Sequence, residues 1–181
     1  MEEHVINQRE SRAGKFGNRG FTLIEILIVV MVLGILAMVI VPQITVSTQD
    51  AKESALQTNL VAMRNAIEMY YVEHNNVYPG EHLDTDGSVI ADLATAAAAT
   101  AFEKQLTQFT GITGIASTTE AAVSGTAYGP YLKGALPANP YDSKYTVTTA
   151  ASADITITTV VTTAGGWYYY PAIGKILAAN P

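Results

Sequence analysis

The chain contains no cysteine. That removes disulfide staples, thiol nucleophiles and cysteine-based zinc sites, so the folded part must be held by packing and hydrogen bonds. Charge is scarce at 14 %, and basic residues are outnumbered, with Lys+Arg 10 against Asp+Glu 16 and a net charge of -6. A nucleic-acid surface would be basic, so that class is excluded. There is no Gly-x-Ser-x-Gly elbow and no phosphate-cradling loop, since Gly174-Lys175 lacks both the upstream glycine and the following hydroxyl residue. No catalytic constellation is found, and the chain is read as a non-enzyme.

What the chain has instead is a long apolar run. Phe21 to Val41 is apolar almost throughout, with Glu25 near its start and a basic leader ending in Arg19-Gly20 before it. A run of this length can span a bilayer as a helix. A secretory signal peptide has a shorter apolar region followed by a small-residue cut site, and Met38-Val39-Ile40-Val41-Pro42 offers none. A plain single-pass anchor fits the length and the flanking charge but leaves Glu25 unexplained. A carboxylate inside such a run costs about 2.5–3.5 kcal/mol near the bilayer centre and less towards the interface, so it needs a partner. The span offers no cation; a new amino terminus, made by cutting after Gly20, would be one. The leader carries Arg9, Arg12, Lys15 and Arg19, which predicts a cytoplasmic leader and an external remainder. Without the leader the chain is more acidic still.

Lys15-Phe16-Gly17-Asn18-Arg19-Gly20-Phe21-Thr22-Leu23-Ile24-Glu25 resembles the processing site of type IV prepilins and type II secretion pseudopilins. The resemblance implies that a membrane-embedded prepilin peptidase cuts between Gly20 and Phe21 and N-methylates Phe21. It implies that Glu25, the fifth mature residue, meets the Phe21 amine of a neighbouring subunit and sets axial register in a filament. Pro42 falls where this family often has a proline, and is read as a break or kink in the helix. The implied fold is the α+β pilin fold, a long N-terminal helix packed through its second half on a small antiparallel sheet. The implied function is a structural subunit of a type IV pilus or a type II secretion pseudopilus, two readings the residues leave open. Its partners would be copies of itself, other pilins, the prepilin peptidase and an inner-membrane assembly platform. Its place would be the bacterial inner membrane as a single-pass precursor, then a surface pilus or periplasmic pseudopilus. The alternative is a membrane-anchored extracytoplasmic binding module that does not polymerise.

The domain reading is a leader over 1–20, an apolar helix over 21–42, its amphipathic continuation over 43–75 and a globular head over 76–181. Leu56, Leu60, Met63, Ile67 and Tyr70 recur at three- and four-residue steps, one face of a helix. Pro79-Gly80 stops the pattern. A second helix is expected between Asp92 and Thr110, with Phe102, Leu106 and Phe109 on one face. Gly111 to Gly129 reads as a surface loop, and Gly129 to Tyr141 as turns. Strands are expected at Lys144–Thr149, Ile155–Thr163, Trp167–Tyr170 and Lys175–Ala178, joined as an antiparallel meander by turns at Gly165-Gly166 and Pro171–Gly174.

Asp84-Thr85-Asp86-Gly87-Ser88 is a fragment of a calcium-loop pattern that lacks a third donor and the closing glutamate. Some major pseudopilins fix a loop with calcium, so Asp84 and Asp86 are calcium candidates by resemblance, beside the simpler reading of an Asx turn. His74 and His82 lie near Glu73 and Glu81 at a spacing that fits no helical zinc pair. No other cofactor is expected. Ala138 to Tyr145 resembles the Asp-Pro-Trp-Gly region of major pseudopilins, with Asn139 in place of the aspartate and Tyr141 in place of the tryptophan.

Overall fold

The computed structural model describes residues 20–154, 156 and 165–179, the side chains of residues 39 and 41–46 apart. The leader over 1–19 and nearly all of the strand expected at Ile155–Thr163 lie outside the described residues. The chain divides into two compact units, residues 1–45 and 46–181.

Helix α1 runs from Leu23 to Glu73 and contributes to both units. In the first unit it presents apolar side chains with nothing packed on them: every described side chain from Phe21 to Met38 is exposed. Helical backbone runs on through Pro42. Its missing N–H removes one hydrogen bond, and the turns on either side maintain the helix.

The second unit is built on the amphipathic half of α1. Leu56, Leu60, Met63, Ile67 and Tyr70 are all buried, and Gln57, Arg64 and Glu68 between them face solvent. This stripe packs with Phe102 and Leu106 of α2, Leu136, and Trp167, Tyr169 and Ile176 in one core. Helix α2 spans Ala96–Thr107, shorter than expected at both ends. Asp92 accepts from the Ala94 N–H at 2.9 Å and Thr95 caps the helix from the Ala98 N–H at 3.4 Å, so the first residues of the expected helix serve as its cap. Phe109 leaves the helix and enters β1.

Strands β1 (Phe109–Thr110) and β2 (Ala116–Ser117) form an antiparallel pair, and Thr110 also bridges to Tyr128. The segment expected as a bare loop thus contains short pairing of its own. Strands β3 (Val147–Thr149), β4 (Trp167–Tyr170) and β5 (Lys175–Ala178) form the main sheet in the order β3-β4-β5. β4 and β5 are antiparallel through Pro171–Gly174, as expected, with Gly174 left-handed at φ 62. A side chain there would run into the ring of Tyr78, so the turn requires glycine.

β3 pairs with β4 in parallel, not antiparallel, which makes this sheet mixed. Parallel neighbours need a connection of a dozen or more residues, and Ala150–Gly166 is long enough. Gly165-Gly166 is therefore not a hairpin tip. The Trp167 N–H donates to the Thr146 carbonyl at 2.9 Å, and a Cβ on Gly166 would collide with that same oxygen. The architecture is α+β, a long helix whose second half packs on small antiparallel and mixed sheets.

Candidate processing and assembly site

Gly20 and Phe21 precede α1 without helical structure, and Phe21 is 82 % exposed. Thr22 is the helix cap. Its N–H and its hydroxyl both donate to Glu25 Oε2, each at 2.7 Å, and the Glu25 N–H donates back to Thr22 Oγ1 at 3.3 Å. This reciprocal Thr-x-x-Glu arrangement is a capping box: it satisfies helix-start donors that would otherwise be orphaned. It also sets a carboxylate against the positive end of the helix macrodipole. The sequence reading sought a partner for Glu25 outside the chain. An internal partner, Thr22, is three residues away, and the spacing of a Thr and a Glu just before an apolar run was the available signal. One Glu25 oxygen takes both of these bonds. Phe21, Glu25, Ile26, Ile28 and Val29 line a shallow, mostly apolar concavity of about 320 Å³.

Beyond this first turn the exposed face is uniformly apolar. Among the described residues no helix is long and apolar enough to cross a membrane. The continuous stretch of described side chains ends at Met38, whereas the apolar sequence continues to Val41. A fully exposed stretch of this kind is not stable against water and requires lipid or other protein around it.

The calcium candidates have other partners. Asp84 Oδ2 accepts from Lys104 Nζ at 2.6 Å, with Asp84 nearly buried and Lys104 partly exposed. Asp86 Oδ1 accepts from the Ser88 N–H at 2.9 Å and the Ser88 hydroxyl at 2.8 Å, an Asx turn, and these bonds hold the Asp86 carboxyl below its usual range. Among the described residues no group of three or more His, Asp or Glu is placed to hold a metal. Millimolar calcium is accordingly expected to leave the melting temperature of the chain unchanged. Lys104→Met, which strands the Asp84 carboxylate, is expected to cost about 1–3 kcal/mol. A rise in melting temperature with calcium in the parent chain would show Asp84 leaving Lys104 for the ion.

His74 and His82 do not converge. His82 sits in a bridge with Val89. His74 is buried just beyond the end of α1, stacked on Tyr70 with ring centroids 3.8 Å apart. Asn139, singled out only as a departure from a motif, is fully buried and joins three segments. Its Nδ2 donates to the carbonyls of Gly166 at 2.9 Å and Ala179 at 3.3 Å, and its Oδ1 accepts from the Tyr141 N–H at 3.0 Å. Beside it the Trp167 indole N–H donates to the Pro137 carbonyl at 2.7 Å.

An acid capped at the first turn of α1, four residues after Phe21, and an exposed apolar helix behind it make the N-terminal region similar to that of type IV pilins and pseudopilins. Residues 15–41 match the family described as "Prokaryotic N-terminal methylation motif". The type II secretion system core protein G of Vibrio cholerae is 43 % identical over 60 residues, 33 % of this chain and 40 % of that protein. The proteins of the same name from Escherichia coli K12 (38 % over 61 residues, 34 % and 41 %) and Pseudomonas aeruginosa (43 % over 60 residues, 33 % and 42 %) are similar to it over the same share. The match thus spans about two fifths of the length of these curated relatives. No solved structure matches the chain.

Proposed function

We propose that this chain is a pseudopilin-type structural subunit. It is cut between Gly20 and Phe21 by a prepilin peptidase, N-methylated at Phe21, and assembled through its apolar helix into a type II secretion pseudopilus. The observation that carries this reading is the start of α1: an exposed Gly20-Phe21 junction, an acid held at the first turn, and an apolar surface that needs cover. The precursor would sit in the inner membrane with residues 1–20 inside and the head outside. On assembly the helices exchange lipid for one another. The Phe21 amine, cationic after methylation, takes up Glu25 of a neighbouring copy. An unpaired carboxylate in that core is heavily penalised, so only one axial register is favourable. A repeated head-to-tail contact that does not close generates a helical filament. Residues 21–42 would form the filament core, 43–75 the helix on which the head is built, and 76–181 the rest of the head. Similarity to proteins named as type II secretion components favours the pseudopilus over a surface pilus.

Gly20 allows a clean test. Among the described residues a Cβ there would meet nothing within 4 Å. Gly20→Val is expected to leave full-length precursor in the membrane. Intact-mass measurement of the parent chain is expected to show material beginning at N-methylated Phe21. Mature parent protein that still begins at Met1 contradicts the proposal.

A further inference from the structure

His74 is a buried titratable group that the filament reading does not use. Its side chain is 1 % exposed. Nδ1 lies 2.9 Å from the Tyr70 carbonyl oxygen, and a carbonyl only accepts, so Nδ1 carries the hydrogen. In the neutral ring Nε2 is then an acceptor. Among the described residues Nε2 has no hydrogen-bond partner, and neither does Thr110 Oγ1, which is also fully buried. The two atoms flank one structure: Tyr128, whose ring meets His74 edge-on at 5.2 Å, exchanges both backbone hydrogen bonds with Thr110 at 2.9 Å.

We propose that His74 is a proton-operated latch that, in its neutral form, seals the end of α1 against the β1–β2 hairpin and the Tyr128–Tyr131 segment, and that releases this seal when Nε2 takes a proton. The groups facing the ring are Tyr70 from α1, Tyr128 beside β1, Tyr131 from the following segment, and Glu73, the charge that acts on it. Glu73 is engaged, accepting from the Tyr131 hydroxyl at 2.6 Å. The Gly111 backbone favours the charged ring, and the Gly111 carbonyl already takes the Gly114 N–H at 2.8 Å and closes the hairpin turn. An imidazolium therefore competes with that turn while losing its hydration in a ring of aromatics. The helix C-terminus and the faces of the tyrosines oppose this loss. Burial outweighs them and holds the His74 pKa below its ordinary 6.5. The folded state then binds fewer protons than the unfolded chain. The His74 contribution to stability is complete above pH 6.5 and is lost as pH falls through the folded value.

The test is hydrogen exchange on the full chain in detergent micelles between about pH 7.5 and pH 5, with rates converted to protection factors. Protection at residues 74–77 and 110–115 is expected to fall about tenfold or more towards the acid end, while β4 and β5 hold theirs. His74→Phe keeps a flat ring on Tyr70 without a titrating nitrogen, and its protection there is expected to be flat with pH. The same decline in parent and variant overturns the latch. Imidazole resonances followed by NMR in the parent chain give an independent reading should His74→Phe not fold. A His74 that titrates at or above its ordinary value overturns the proposal, and one that titrates below it, together with hairpin opening, supports it.

Discussion

A Glu25→Leu chain is expected to be cut after Gly20 and retained in the membrane, yet to fall about tenfold or more in sheared filaments relative to the parent, a loss of about 1.4 kcal/mol or more per incorporated subunit. The substitution removes the carboxylate from an apolar run and so eases insertion by up to about 2.5–3.5 kcal/mol. Poor anchoring therefore cannot explain such a result. It also dissolves the capping box, a loss of about 0.5–2 kcal/mol confined to the first turn of α1. Thr22→Val separates the two effects, since it removes the hydroxyl bond to Glu25 while keeping the acid. If charge pairing between copies sets register, Thr22→Val incorporates far better than Glu25→Leu. Immunoblots of membrane and shear fractions read both variants, and filaments of normal yield from Glu25→Leu would remove the register argument.

The second large effect is expected at Asn139. Asn139→Asp replaces a buried amide donor with a carboxylate oxygen facing the carbonyls of Gly166 and Ala179. Among the described residues the Asn139 side chain meets two carbonyls and the Tyr141 N–H. An unpaired carboxylate in such a site costs about 3–5 kcal/mol at neutral pH. The cost has a direction in pH. Burial raises the carboxyl pKa in the folded state, so the variant is least impaired where the acid is protonated and can donate, and it loses stability as pH rises through the folded value. Urea unfolding of parent and variant from pH 4 to 8 is expected to show curves that converge towards acid and separate towards neutral. Parallel curves would mean that the amide donates to neither carbonyl. The same chemistry accounts for asparagine where the resembling motif has aspartate: this pocket presents two acceptors and needs a donor.

These two sites differ in how visible they are along the chain. Glu25 stands out because one acid in an apolar run is costly wherever the chain goes. Thr22 is equally visible, three residues upstream at the capping-box spacing. Asn139 lies in a turn-rich stretch where asparagine is ordinary. Its importance comes from carbonyls 27 and 40 positions away. His74 has polar local neighbours, namely Glu73, Asn75 and Asn76, which give no sign of burial. Its burial depends on Tyr128 and Tyr131, far along the chain.

Local periodicity sufficed for the buried stripe of α1, the second helix, the β4–β5 turn and the apolar run with its acid, because each is set by residues within a few positions of one another. Strand direction was not legible in this way. β3 lies parallel to β4, and a strand looks alike in either direction. Residue order alone dictates which surfaces must leave water and where a helix must begin. The carbonyls facing Asn139, the rings enclosing His74 and the hold of Lys104 on Asp84 come from the folded chain, because those partners meet once the core has closed.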